Sequence, residues 1–201
     1  MVKTVSGRAA GFSQPNVDTD VIMPKRFLKT ITREGLADGA FADLRFDEAG
    51  NIRPEFVLNQ APWKDASILV VGNNFGCGSS REHAVWGLLQ LGIKVIIGTD
   101  YGGIFYDNAR KNGLVLPIVS EDVRNELLAL ASAEGACVFD VDVEQKLIRV
   151  GAQGFAFEMG ESTQQALLLG QDETLDTVKL SDQISAFEQK RLSELKVAVN
   201  M

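Results

Sequence analysis

The rhythm of apolar and polar positions changes along the chain, and each rhythm predicts an element. "ASILVVG", from Ala66, is a short unbroken apolar run of the kind buried on both faces of a sheet. "REHAVWGLLQLG" then places its apolar residues at helical spacing and ends at Gly92, and "KVIIG" follows as a second buried strand. Strand, loop, helix and strand in that order predict parallel strands with a right-handed crossover. A ligand then gathers where strand ends meet helix starts. "YGGIFYDNARKNG" reads as a glycine turn into a short helix closed by Asn112-Gly113, and "LVLPIV" as a further strand. "SEDVRNELLALASAEG" is the clearest helix: Ser120 caps it, acids fill its first turn, and Val123, Leu127, Leu128 and Leu130 line one side. "CVFDVDVEQKLIRVGAQGFAFEM" alternates around Glu144-Gln145-Lys146 as a β-hairpin does, with a second strand pair between Gly151 and Met159. From Ser181 onward, Ile184, Phe187, Leu192 and Leu195 mark an amphipathic, charged helix.

Elsewhere the rhythm is weaker. The opening that leads to "QPNVDTDVIMPKRFLK" reads as irregular and polar. In "QPNVDTDVIMPKRFLK", Asn16, Asp18 and Asp20 favour a turn because their side chains bond nearby backbone, and Pro24 stops the apolar run that follows. Gly35 to Pro62 reads as short elements joined by loops. The class is mixed α/β with an unusual share of antiparallel strand, arranged as a single domain over 1–201 with a helical tail at about 181–201.

Composition narrows the function. With 201 residues, 45% hydrophobic and 23% charged, the chain reads as a soluble globular protein long enough for one well-buried core or at most two small ones. A formal net charge of -7 argues against nucleic acid, whose phosphates require clustered Lys and Arg. No apolar run approaches the roughly 20 residues that span a bilayer. "MVKTVSGRAAGF" lacks the apolar core of a signal peptide, so the expected location is cytoplasmic, away from membranes. Cys77, Cys137 and the single histidine, His83, are too few for an iron–sulfur cluster or a structural zinc site, each of which takes about four ligands. The expectation is that this chain binds no metal of its own.

The chemistry concentrates in Val71 to His83, "VGNNFGCGSSREH". It lacks the GK[ST] ending of a phosphate-binding Walker loop and the third glycine of a dinucleotide fingerprint. Ser79-Ser80-Arg81-Glu82 matches a capping box, which explains Ser79 and Glu82 without any function. It leaves Gly76-Cys77-Gly78 unexplained. Flanking glycines let backbone approach a ligand closely at a helix start, where free N–H groups favour an anion. Arg81 in the first turn opposes the helix dipole and so points to an anionic partner; a carboxylate suits N–H groups on one side and a guanidinium fork on the other.

"NFGCGSSREHA", together with "NVDTDVIMPKRFLK", "GIKVII", "IFYDNARKNGLVLP" and "FDVDVE", resembles the small subunits of 3-isopropylmalate dehydratase, in the aconitase superfamily, over nearly the whole chain. The resemblance implies the three-layer β/β/α fold of the aconitase swivel domain, made as a separate chain. It implies a large-subunit partner that carries a [4Fe-4S] cluster, and a small hydroxy-dicarboxylic acid as substrate. The implied reaction is dehydration and rehydration that exchanges 2-isopropylmalate and 3-isopropylmalate in leucine biosynthesis.

By the same resemblance Ser79 is the base at carbon, and Ser80 and Arg81 hold a substrate carboxylate. Arg26 is a candidate second carboxylate contact or a wall of the alkyl pocket, with a surface arginine as the alternative. Asp18 and Asp20 are candidates for ordering the active-site loop beside Gly76, Cys77 and Gly78, with plain turn residues as the favoured alternative. His83, one helical turn beyond Ser79, is a buried or hydrogen-bonding neighbour rather than a catalyst. Cys77 stands where aconitases have Glu, which argues against cluster ligation, and Trp63 and Trp86 read as packing. The chain departs from the family at Asp100-Tyr101-Gly102-Gly103, where relatives typically show SFAD, and at Gly160 and Thr163, where an acid and an arginine are usual. These departures leave open a paralogous subunit acting on another alkyl- or methyl-malate. A non-catalytic module that binds small anions is the reading from another class.

Overall fold

The computed structural model describes residues 1–28, 34–78, 81–133, 137–170 and 180–199, with 192–199 described by backbone alone. Its strands are β1 (Thr4–Phe12), β2 (Ile68–Val71), β3 (Val95–Ile97), β4 (Val138–Asp142), β5 (Leu147–Val150) and β6 (Gln153–Ala156). They form a mixed sheet in the order β3-β2-β1-β4-β5-β6. β1, β2 and β3 run parallel, with Phe12 beside Val71 and Val70 beside Ile97, whereas β4, β5 and β6 continue the other edge of β1 antiparallel.

Burial explains the apolar runs. All four residues of β2 and all three of β3 are buried, because both faces of this half are covered. Leu69, Val71 and Ile96 join Ala10 in one core; Ile68, Val70, Val95 and Ile97 join Val5 and Ala9 in the other. β5 instead alternates buried Ile148 and Val150 with half-buried Leu147 and Arg149.

Among the described residues three α-helices fall between β1 and β3, α1 (Thr19–Ile22), α2 (Ala42–Arg45) and α3 (Glu82–Gln90), and α4 (Gly103–Asn112) follows β3. Ile22, Leu88 and Phe105 carry α1, α3 and α4 into the first core. Then come α5 (Glu121–Ser132), α6 (Glu161–Leu169) and α7 (Ser181–Val199), of which α5 and α6 add Leu127, Ala131 and Leu167 to the second core. Residues 181–191 of α7 are exposed, Phe187 to 63%.

Four expectations change. The opening, read as irregular and polar, is β1, the strand on which both halves of the sheet meet. Its buried side chains are small, Val5, Ala9 and Ala10, and Ser6, Gly7 and Arg8 interrupt them, so its alternation is faint in sequence.

"LVLPIV" is not a strand. It touches β3 through a single bridge from Val115 to Val95, and Gly98 just beyond β3 through another at Ile118, since Pro117 has no N–H for a ladder. Ile118 also exchanges backbone hydrogen bonds with Glu158 at 3.1 and 2.7 Å, which links the β3 end of the sheet to the segment after β6. Between Gly151 and Met159 there is one strand, β6, paired back on β5, rather than a strand pair. The buried stripe of α5 is Arg124, Leu127 and Ala131, with Val123, Leu128 and Leu130 on its partly buried flanks. Ser120 caps that helix as expected, accepting from the Val123 N–H at 3.4 Å.

Candidate active site at the parallel strand ends

Because β1, β2 and β3 are parallel and in register, the segments that follow them, 13–20, 72–78 and 98–103, emerge at one edge of the sheet. Backbone hydrogen bonds lock them together. Asn16 N–H donates to Asn73 O at 2.8 Å, Gly76 N–H to Val17 O at 2.7 Å and Thr19 N–H to Cys77 O at 3.0 Å. On the other flank Gly102 N–H donates to Phe75 O at 2.9 Å. The loop after β2 thus runs between the Asp-Thr-Asp turn and the start of α4, bridged to both.

Two glycines make this possible. Gly76 has φ +73°, and a β-carbon there would lie 2.3 Å from the Phe105 ring. A β-carbon on Gly102 would lie 2.3 Å from Gly76 O and 3.0 Å from Cys77 Cα. The glycine at 102 therefore has a steric basis, since the start of α4 approaches the loop too closely for a β-carbon, whereas one at Gly103 would meet nothing within 4 Å.

Asp18 caps α1, its Oδ1 accepting from Val21 N–H at 2.8 Å, as a turn residue should. Asp20 does more. Its Oδ1 meets Nη1 of Arg81 in an ion pair, with the Arg81 side chain only 16% exposed, and its Oδ2 lies 3.8 Å from Lys25 Nζ. Arg81 thus has one anionic partner within the chain. It joins the Asp-Thr-Asp turn to the start of α3.

The capping box does not form as expected. Arg81 is the cap residue of α3, without a side-chain cap bond, and Glu82 is the first helical residue rather than the third. Glu82 has another partner: Oε1 accepts from Asn112 Nδ2 at 2.6 Å, and Asn112 Oδ1 accepts from Trp86 Nε1 at 2.9 Å. This ties the first two turns of α3 to the end of α4. Ser79 and Ser80 lie outside the described residues.

Gly78 is exposed, with φ +89°, and Cys77 is a half-buried free thiol. His83 is half-buried with its ring 4.9 Å from that of Trp86. Trp63, expected only to pack, also donates from Nε1 to Ala131 O at 2.8 Å. Arg26 pairs with Asp43 at 2.5 Å and lies over the Phe27 ring; the hydrogen bond to Asp43 raises its pKa above the ordinary value. It lines a cavity of about 490 Å³ with Asp43, Phe46, Asp47, Glu48 and Arg53, among which Arg81 and the glycine loop do not figure. Gly160 and Thr163 sit at the start of α6, Thr163 buried, and contribute to none of the contacts described at the strand ends.

Several residues here escaped the sequence reading. The Tyr101 hydroxyl lies 2.8 Å from Ile96 O and 2.7 Å from Pro117 O, and burial drives its pKa well above the ordinary tyrosine value. Asn74 Nδ2 donates to Asn16 Oδ1 at 2.8 Å. Arg124, buried on α5, donates to Asn73 Oδ1 at 2.8 Å. The available signal was an arginine occupying the apolar stripe of its helix.

Residues 1–122 match the Aconitase C-terminal domain. The small subunit 1 of 3-isopropylmalate dehydratase from Mannheimia succiniciproducens is 44% identical over 185 residues, 92% of each chain. The chain belongs to the 3-isopropylmalate dehydratase small-subunit family. A second member, from Jannaschia sp., is 46% identical over 188 residues, again covering 92% of both chains. The crystal structure of 3-isopropylmalate dehydratase (LeuD) from Methanocaldococcus jannaschii superposes with a TM-score of 0.65 at 27% identity, covering 92% of this chain and 99% of that one. The mixed six-stranded sheet with its helices is therefore the swivel-type α/β fold of 3-isopropylmalate dehydratase small subunits.

Proposed function

We propose that this chain is the small subunit of a hydro-lyase that interconverts 2-isopropylmalate and 3-isopropylmalate in leucine biosynthesis, working in the cytoplasm with a large subunit and acting as one domain. The observation that carries this reading is the Asp20–Arg81 pair at the meeting point of three strand-end segments. Asp20 holds one terminal nitrogen of the guanidinium. The other N–H groups of the fork, which have no partner among the described residues, serve a substrate carboxylate at the start of α3, where the helix dipole also favours an anion.

In this mechanism Ser79 removes the proton at carbon during dehydration and returns one at the neighbouring carbon during rehydration. Its alkoxide is stabilised by Arg81 and the helix start. Ser80 shares the carboxylate with Arg81. Arg26 is held to Asp43 by an exposed pair of the kind worth about 1 kcal/mol or less, which a substrate carboxylate can displace.

Two cysteines and one histidine do not fit a [4Fe-4S] cluster, which takes about four thiolates. We assign the cluster to the large subunit, whose Lewis acidity serves the substrate hydroxyl. No step on this chain is routed through it.

The test is anaerobic mixing of the purified chain with the large subunit, following the unsaturated acid formed from 2-isopropylmalate. Ser79→Ala is expected to lower kcat by about 10²- to 10⁴-fold while assembly persists. Unchanged turnover in that variant removes the serine from the mechanism. An assembled pair that ignores isopropylmalate but dehydrates another alkylmalate reassigns the substrate.

A further inference from the structure

We propose that Arg124, on α5 and outside every motif above, is a positioning residue that acts through Asn73 to hold the active-site loop in register with its two neighbours. The proposal rests on the reading of that loop as the substrate-carrying part of a hydro-lyase subunit.

Asn73 is a hub. Its backbone carbonyl accepts from Asn16 N–H at 2.8 Å, and its side-chain Oδ1 accepts from Arg124 Nη1 at 2.8 Å. An arginine only donates, so the amide oxygen must face it. The Thr99 hydroxyl lies 3.3 Å from the same oxygen and gives its one proton to Asp100 Oδ1 at 2.8 Å. Asn73 thereby touches the segments after β1 and β3 as well as α5. It stands three residues before Gly76 and eight before Arg81, so a shift at Asn73 is passed along the loop to the groups that meet substrate.

Arg124 is poorly explained by stability. Its side chain is 10% exposed, its Nε is buried without a hydrogen-bond partner among the described residues, and its carboxylate partner at 3.0 Å, Glu121, is 69% exposed. A buried cation with one exposed partner costs desolvation that the pair does not fully offset. Nor does the helix call for it, since a cation in the first turn opposes the dipole. What the guanidinium does accomplish is to fix the amide of Asn73 from behind the loop.

The enzyme is tested reassembled with its large subunit, alongside amide hydrogen exchange on the isolated chain. Asn73→Leu and Arg124→Met are each expected to lower kcat about 10- to 100-fold with a smaller change in KM, because a displacement of about 1 Å is enough for that. Their exchange should quicken over residues 16–19 and 72–78 and stay as before over β4 and β5. Losses in the double variant should fall short of the product of the two singles. Asn73→Asp, which keeps an acceptor facing the guanidinium, should hold kcat within about threefold.

Wild-type kcat and exchange in Asn73→Leu overturn the proposal. So does quickened exchange spread evenly over the chain, which marks general destabilisation. The Ser79→Ala control separates the two levels. If it is inactive while Asn73→Leu is normal, only the positioning role fails. If Ser79→Ala turns over normally, the hydro-lyase mechanism fails, and the exchange pattern alone still decides the hub.

Discussion

The parallel and antiparallel halves of the sheet share β1 and use their strand ends differently. β4, β5 and β6 are joined by tight turns at residues 143–146 and 151–152, so their ends present little beyond the turn itself. β1, β2 and β3 are parallel, and each must leave through a long connection to reach the next. Those connections begin side by side at one edge, and there they hold Asp20, the glycine loop and Arg81. In this fold the chemistry follows from strand direction. Parallel strands gather the starts of their crossovers at one place, while hairpins return the chain before it can travel.

That contrast is broken most forcefully from the antiparallel side. Phe139 of β4 is fully buried in the second core, and Phe139→Ala is expected to cost about 3–5 kcal/mol of stability by removing contacts and leaving a cavity. Urea unfolding measures the loss. At a temperature where the variant stays folded, its kcat in the assembled enzyme should be unchanged, and a parallel fall in kcat would show that the two halves are not separable.

Gly102→Ala probes the other half. The new methyl meets backbone at Gly76 O, which cannot swing aside as a side-chain tip does, so a stability loss of about 1–3 kcal/mol is expected. Because the displaced atoms belong to the loop, kcat should fall by about 10- to 100-fold as well. Normal kinetics in a destabilised Gly102→Ala would separate α4 from the site.

The smallest expected effect is a pH dependence. The Tyr101 hydroxyl, buried beside the carbonyls of Ile96 and Pro117, has its folded pKa raised well above the ordinary value. Its contribution to stability is therefore complete below the unfolded pKa of about 10 and is lost progressively as pH rises beyond it. Tyr101→Phe should lose about 1 kcal/mol at neutral pH and show a shallower decline in stability above about pH 10. Equal slopes for the two proteins in urea titrations from neutral to alkaline pH would remove Tyr101 as the cause.

Legibility tracked the size and continuity of the buried side chains. β2, β3, α3, α4 and α5 stand out in sequence because long apolar residues repeat at the period of their element. β1 was hidden because a central strand packed closely on both flanks can be built from alanine, glycine and serine. Pro117 made the opposite error possible: an apolar run that looks like a strand but cannot complete a ladder.

By itself the sequence determined the mixed α/β class, the parallel unit around the glycine loop, the family resemblance, and the want of enough thiolates to hold a cluster. These rest on local periodicity, motif spacing and counts, which need no knowledge of what lies across the fold. Only the tertiary structure decided that Asp20 is the partner of Arg81, that Glu82 serves Asn112 instead of a capping box, that α4 leaves room only for glycine at 102, and that Arg124 reaches Asn73 from another helix. Each of these joins residues at least 25 positions apart. Such contacts depend on how strand order folds the chain back on itself, and linear spacing carries no record of that.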